Sequence, residues 1–347
     1  MNGTDVLRVG FVGAGGNTRQ RHIPGLAAIA GVRLVSVCNR SRESSERVAR
    51  EFGIPVVYDR WQDLVAAADT DAIVIGTWPY LHAEVTCAAL AAGKHVLCEA
   101  RMAIDLAEAR AMLAAAREHP DCVAQVVPAP FTLKVDDLVR RLLAEDAIGP
   151  VLAADLRALS GSYLDPGAPL TWRQDRALSG LNIMSLGIWY ETLMRWVGEA
   201  RRVYARGSVW QAERRRADTG EVATVTVPDH LLVSADLACG AQASMLISTA
   251  AGGAPETSLT LYGREGTLRF VADEGRLYVG RRGEKGLREV PPPAGAPGWR
   301  VEEDFVVSIR DGAPVTLTSF VAGVRYMAFT QAVADSLAAD RPVDVPA

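Results

Sequence analysis

Residues 8–24 read RVGFVGAGGNTRQRHIP: an apolar run over residues 9–12, glycines at Gly13, Gly15 and Gly16, then Asn17, Thr18 and the start of a helix. A strand, a glycine turn and a helix in immediate succession open a βαβ unit. Such a unit aims backbone N–H groups and a positive helix end at a pyrophosphate. Gly13 permits the tight turn, and Gly15 lets the backbone come close to the phosphates. The third position of the G-x-G-x-x-G fingerprint falls on Thr18, so the stretch matches the pattern in part. From these residues alone, a βα turn with no ligand stays an open reading.

Downstream, Val32–Cys38 forms a second apolar run that ends in Asn39, Arg40 and Ser41. This is the interval at which a dinucleotide-binding unit reads the adenosine ribose. An acid there would accept from the 2′-hydroxyl and repel a 2′-phosphate. The chain has none, and Arg40 with Ser41 offers a cation and a hydroxyl, so NADP is the expected cofactor, with NAD possible. The alternative is that Arg40 merely opens a solvated helix with Glu43, Glu46, Arg47 and Arg50.

A third strand over residues 71–76 runs into Thr77, Trp78, Pro79, Tyr80, Leu81 and His82, where the ligands of open α/β sheets sit. Pro79 stiffens that turn. Trp78 reads either as a platform along a nicotinamide face or as an aromatic plug. A helix over residues 83–92, a strand at His95–Cys98 emptying into Glu99, Ala100, Arg101 and Met102, a helix over 105–118 and a strand over 122–127 follow. Strand and helix alternating in this way specify a doubly wound parallel sheet of Rossmann type.

At 347 residues the chain is long for one domain, and the pattern changes past Gln125. The expected division is a dinucleotide-binding domain over residues 1–127 and an α+β domain over 128–347. In the second part a charged amphipathic helix over Leu133–Ala144 precedes a strand-like run over Val151–Leu159. A Gly-, Pro- and Asp-rich loop over 160–179, carrying Trp172 and Arg173, precedes an apolar helix over 180–197. Short strands then dominate residues 201–290, and a helix over Phe320–Ala339 closes the pattern. That describes a largely antiparallel open sheet.

The balance of 37 basic against 41 acidic residues gives no reason to expect nucleic acid or an anionic membrane surface. No apolar segment is long enough to span a bilayer, and the first ten residues lack a signal-peptide pattern. Five scattered cysteines with no C-x-x-C spacing fit reduced thiols in a cytoplasmic protein and argue against a metal site.

Taken together, VGFVGAGGNTRQRHIP, VCNRS, TWPYLHAEV, GKHVLCEARMA, TWRQD and SGLNIMSLGIWYETLMRWVG resemble the Gfo/Idh/MocA family, and the resemblance runs over essentially the whole chain. It implies a nicotinamide-dependent oxidoreductase acting on a sugar, cyclitol or related polyol, in a homodimer or higher homo-oligomer. It also marks three departures. The family's Glu-Lys-Pro reads Glu99, Ala100, Arg101, and its Asp-x-Gly-x-His reads Ser185 to Trp189. Ala100, Ser185 and Trp189 thus stand at the family's lysine, aspartate and histidine positions, where an acid–base group is needed to move the substrate proton.

The remaining candidates are graded by chemistry. Arg101 offers fixed positive charge and cannot act as a base. His82 is the histidine placed to carry a proton, or else it orients its turn. Tyr190 is a further proton-transfer candidate, and His22 reads as structural. Glu191 is either a raised-pKa acid or the partner of an arginine such as Arg195. Glu99 and Arg101 join the expected cofactor contacts. Asn182, Ser185 and Trp189, spaced to share one helical face, join Trp172 and Arg173 as expected substrate contacts. Two alternatives to net oxidoreduction remain: redox-neutral, cofactor-assisted cleavage of a glycoside, and a cofactor-binding sensor without turnover.

Overall fold

The computed structural model describes residues 6–347. The chain divides into two compact units. One runs to Pro128 and takes back residues 300–324; the other comprises Ala129–Trp299 and Arg325–Ala347.

In the first unit, six strands form one parallel sheet in the order β3-β2-β1-β4-β5-β6. These are β1 Leu7–Val12, β2 Val32–Cys38, β3 Val56–Val57, β4 Ala72–Ile75, β5 His95–Cys98 and β6 Ala124–Val126. The central strands are apolar at successive positions because helices cover both faces; Val9, Phe11, Ile73, Val74, Val96 and Leu97 are fully buried. The helices between them are α1 Ile23–Ala27, α2 Arg42–Phe52, α3 Trp61–Ala66, α4 His82–Ala91 and α5 Leu106–Glu118.

Local chemistry sets several helix ends. Ser41 caps α2 by accepting from the Ser44 N–H, and Gly53, at φ +67°, ends it. Asp105 caps α5 through the Glu108 N–H.

In the second unit, helices α6 Leu133–Ala144, α7 Arg176–Ser179 and α8 Leu186–Val197 accompany a nine-stranded sheet. Its strands are β7 Val151–Leu159, β8 Ala200–Ser208, β11 His230–Leu237, β12 Gln242–Ser248, β13 Glu256–Gly263, β14 Gly266–Val271, β15 Arg276–Arg281, β16 Arg288–Glu289 and β17 Val343–Asp344. The order is β16-β15-β14-β13-β7-β12-β11-β8-β17, with β9 Glu213–Arg215 and β10 Val222–Thr224 paired separately as a hairpin. All neighbours in the large sheet are antiparallel except β7 and β12. Strand β11 shows the pattern: Leu231, Val233 and Ala235 are buried while Leu232 and Ser234 face outward.

Two helices differ from the sequence expectation. Helix α9, Val301–Asp311, was not anticipated at all; it belongs to the segment that rejoins the first unit, where Val126 N–H also donates to the Thr318 carbonyl at 3.0 Å. The apolar helix expected over 180–197 starts at Leu186, because Met184 takes φ +44° and interrupts helical geometry before it. Helix α10 occupies Phe320–Ala339. Among the described residues no helix is long and apolar enough to cross a membrane.

Candidate cofactor and substrate sites

The glycine turn after β1 is built by exclusion. Gly13 sits at φ +84°, and a Cβ there would lie 2.6 Å from the Thr77 nitrogen, so only glycine fits between the turns after β1 and β4. Gly15 and Gly16 face the opposite situation. A Cβ on Gly15 would meet just the Gly76 oxygen, at 3.5 Å, and one on Gly16 would meet nothing within 4 Å. The fold leaves open space above both.

Thr18, at the third fingerprint position, is buried, and its hydroxyl donates to the Gly13 carbonyl at 3.3 Å. It starts a wide π-helical turn, Thr18–His22, that leads into α1.

This turn borders a cleft of about 610 Å³ lined by Gly13, Gly15, Asn39, Arg40, Ser41, Thr77 and Trp78. Asn39 ties its floor together: the side-chain oxygen accepts from the Ala14 N–H at 2.6 Å, and the amide donates to the Ser44 hydroxyl at 3.1 Å. Arg40 is exposed, with its guanidinium 5.3 Å from the centre of the Trp78 ring. Trp78 therefore lines the cleft beside Arg40, at its β2 side. The Thr77 hydroxyl is buried and has no hydrogen-bond partner among the described residues.

His82 is fully buried, with Nδ1 2.9 Å from the Arg101 carbonyl oxygen and Nε2 3.0 Å from that of Thr77. Burial pushes its pKa below the ordinary value. The ring ties the turn after β4 to the segment after β5, so the expected proton carrier is corrected to a turn-orienting residue. Arg101 is buried as well, at 3% exposure.

Glu99 keeps 15% of its side chain accessible and accepts from the Asn17 amide, from His22 Nε2 at 3.0 Å and from the Ala100 N–H at 3.2 Å. Its pKa lies below the usual carboxylate value; burial works against that, but the hydrogen bonds and charge of His22, with Asn17 and the Ala100 N–H, prevail.

Among the second unit's candidates, Arg173 stacks its guanidinium 4.3 Å from the Trp172 ring centre. Their loop is tethered by a residue that sequence reasoning missed. Arg214, on β9, is buried and donates to the carbonyls of Tyr163, Asp165 and Ala168.

Asn182 precedes α8 instead of sharing a face with Trp189, and its amide donates to the Ser179 carbonyl at 2.7 Å. Ser185 is half-buried at the N-terminal end of the helix. Trp189, at 3% exposure, stacks on Phe131 with ring centres 5.0 Å apart. Tyr190 is wholly buried, stacked 3.6 Å from Phe329, and its hydroxyl accepts from the Ala200 N–H at 2.9 Å. Burial drives its pKa well above the ordinary phenol value. The expected proton-transfer role of Tyr190 is therefore withdrawn. Glu191 pairs with Arg195 at 2.7 Å, which selects the structural of its two readings.

The family profile described as an oxidoreductase family with an NAD-binding Rossmann fold matches residues 7–126, and the Gfo/Idh/MocA C-terminal domain profile matches residues 137–269. The chain belongs to the Gfo/Idh/MocA family. It is an oxidoreductase-family protein with the NAD-binding fold in its first unit.

Within this family it is similar to levoglucosan dehydrogenase from Pseudarthrobacter phenanthrenivorans, at 27% identity over 89% of each chain. It is also similar to 1,5-anhydro-D-fructose reductase from Ensifer adhaerens, at 35% identity over half of each chain. The solved complex of levoglucosan dehydrogenase with NADH and L-sorbose superposes with a TM-score of 0.87 at 26% identity, covering 98% of this chain and 99% of the other.

Proposed function

We propose that this protein transfers a hydride between a nicotinamide dinucleotide, NADP in preference to NAD, and a sugar, cyclitol or related polyol. The observation that carries the reading is the space left above Gly15 and Gly16 beside a helix start, in a cleft whose β2 end presents Arg40 and Ser41, with the one acid of its lining, Asp59, held by Arg42. Nothing in the fold forbids a side chain at Gly16, so the glycines there answer to a ligand that needs the backbone bare.

The residues present fit a dinucleotide. With the Gly13 and Ala14 N–H groups already donating to the Cys38 carbonyl and the Asn39 side chain, the N–H groups of Gly15 and Gly16 would hold the pyrophosphate, Arg40 and Ser41 a 2′-phosphate, and the unpartnered Thr77 hydroxyl would meet a polar atom of the ligand. When bound, the nicotinamide supplies the hydride acceptor or donor. The similarity to levoglucosan dehydrogenase and anhydrofructose reductase supports the carbohydrate-like substrate. Ala100 has no proton to exchange, the indole of Trp189 is a donor only, and the Ser185 hydroxyl stays protonated near neutral pH. The reading therefore expects slow turnover. Those same three residues favour a second reading, cofactor binding without turnover.

Free sugars, cyclitols and aryl glycosides incubated with each oxidised and reduced nicotinamide, followed by absorbance of the reduced cofactor, test the proposal. Net cofactor change, faster with the NADP pair, is the expected result. Calorimetric binding with no turnover on any substrate would favour the second reading, and no binding would overturn both. Gly15→Val should reduce cofactor affinity at least about a hundredfold by occupying the space a pyrophosphate needs; unchanged affinity would remove the site from the glycine turn.

A further inference from the structure

His22 closes the π-helical turn after the glycines and is fully buried between two carboxylates from distant parts of the chain. Its Nδ1 lies 2.5 Å from Glu302 Oε1, on α9, and its Nε2 lies 3.0 Å from Glu99 Oε1, at the end of β5. A neutral imidazole has one N–H and can serve one of them; the imidazolium serves both. Burial opposes the charge, but the hydrogen bonds that the ring donates to Glu302 and Glu99, with the charges of those carboxylates, outweigh it and hold the His22 pKa at about 9. The fold makes room for this arrangement: a Cβ on Gly25 would lie 2.9 Å from Glu302 Cγ. Of the other charged or titratable groups nearby, Arg101 follows Glu99 by two residues, and His82 on α4 feels the Glu99 charge.

We propose that His22 and Glu302 are positioning residues that hold Glu99 as an oriented carboxylate, in a triad of net negative charge, at the nicotinamide end of the cofactor site, so that the protein favours the oxidised cofactor over the reduced one. This rests on the dinucleotide reading above. With the adenosine end at Arg40 on the β2 side, a dinucleotide crossing the glycine turn runs toward β4 and β5. Glu99 leaves the carboxyl end of β5 and is tied to the glycine turn by the Asn17 amide. His22 orients Glu99, and its positive charge alone would cancel that of Glu99. Glu302 offsets the imidazolium, so these three side chains together carry one net negative charge. A pyridinium ring feels that charge and a neutral dihydropyridine does not.

The test measures dissociation constants of the oxidised and reduced cofactor by calorimetry between pH 6 and 9, together with an NMR titration of the His22 ring. Wild-type protein should keep a constant preference for the oxidised form up to about pH 8.5, with His22 titrating near 9. Glu99→Gln should cut that preference about tenfold at every pH. Glu302→Gln should lower the His22 midpoint and make the preference pH-dependent: weakened at pH 6, where the imidazolium cancels Glu99, and restored above the new midpoint. A merely structural role for Glu302 would not move the ratio with pH.

Equal ratios in all three proteins, with cofactor still bound, would overturn this inference and leave the function reading intact. Wild-type protein that binds neither form would overturn the function reading itself. Should Glu302→Gln fail to fold, the wild-type titration decides: a His22 midpoint at or below the ordinary histidine value overturns the proposal.

Discussion

Each unit of this protein buries a cation between two carboxylates, and the two clusters do different work. In the second unit Arg195 lies 2.7 Å from Glu191 and 3.0 Å from Asp136. Its guanidinium also donates to the Ala129 carbonyl and the Thr132 hydroxyl, while Glu191 accepts from the Ala129 N–H and Asp136 from the Trp196 indole. In the first unit His22 takes the arginine's place between Glu99 and Glu302. A guanidinium never gives up its proton, so the first arrangement braces α8 against the segment before α6 at any working pH. An imidazole can give up its proton, so the second answers to pH. Exposure separates them further: Glu191 is sealed at 3%, while Glu99 keeps 15% of its side chain accessible. The same charge pattern is a brace when closed and a candidate functional group when one carboxylate reaches an opening.

Breaking the brace should give the larger loss of stability. Arg195→Met leaves two buried carboxylates without their cation and should destabilise the protein by about 3–5 kcal/mol, measured by urea denaturation; a loss below about 1 kcal/mol would reduce the cluster to a surface-like pair.

The histidine cluster should show a smaller, pH-dependent effect. The folded pKa of His22, about 9, lies above its unfolded value of about 6.5, so its stabilisation is complete below pH ~6.5 and is lost as pH rises through 9. Wild-type stability should therefore fall across that window by up to about 3 kcal/mol, and the slope should flatten in Glu302→Gln. Glu99, whose folded pKa is depressed, acts with the opposite sign, contributing above its unfolded value of about 4.3 and losing that contribution as pH falls through its lowered folded pKa. A wild-type thermal midpoint that stays level from pH 6.5 to 9.5 would contradict a charged His22.

The exposed cation of the cofactor cleft marks the lower end of the scale. Arg40→Ala should weaken NADPH about tenfold and NADH less than about twofold, while leaving stability within about 0.5 kcal/mol. Equal losses for the two cofactors would remove the 2′-phosphate assignment.

Much of this was legible in the chain because the signals are local. The glycine turn after an apolar run, the caps at Ser41 and Asp105, and the strict alternation of β11 each depend on residues within a few positions of one another. The site was less legible where a side chain's neighbour decides its chemistry. Tyr190 and His82 have proton-transfer chemistry on paper; one proved buried under Phe329 and the other fully buried with a backbone carbonyl beside each ring nitrogen. Helix α9 carried its own signals, with Glu302, Glu303 and Asp304 in its first turn and apolar residues at 301, 305, 306 and 309. Those signals locate a helix and are silent about what Glu302 touches.

Periodicity and glycine spacing along the chain were enough to define a parallel dinucleotide-type sheet followed by a largely antiparallel one, since backbone sterics and burial act over neighbouring positions. Which ionisable groups stay charged was a matter of folding. Residues 22, 99 and 302 meet because the segment 300–324 returns to the first unit. The charge on an imidazole is set by the carboxylates and the burial around it, neither of which is encoded in its sequence neighbours.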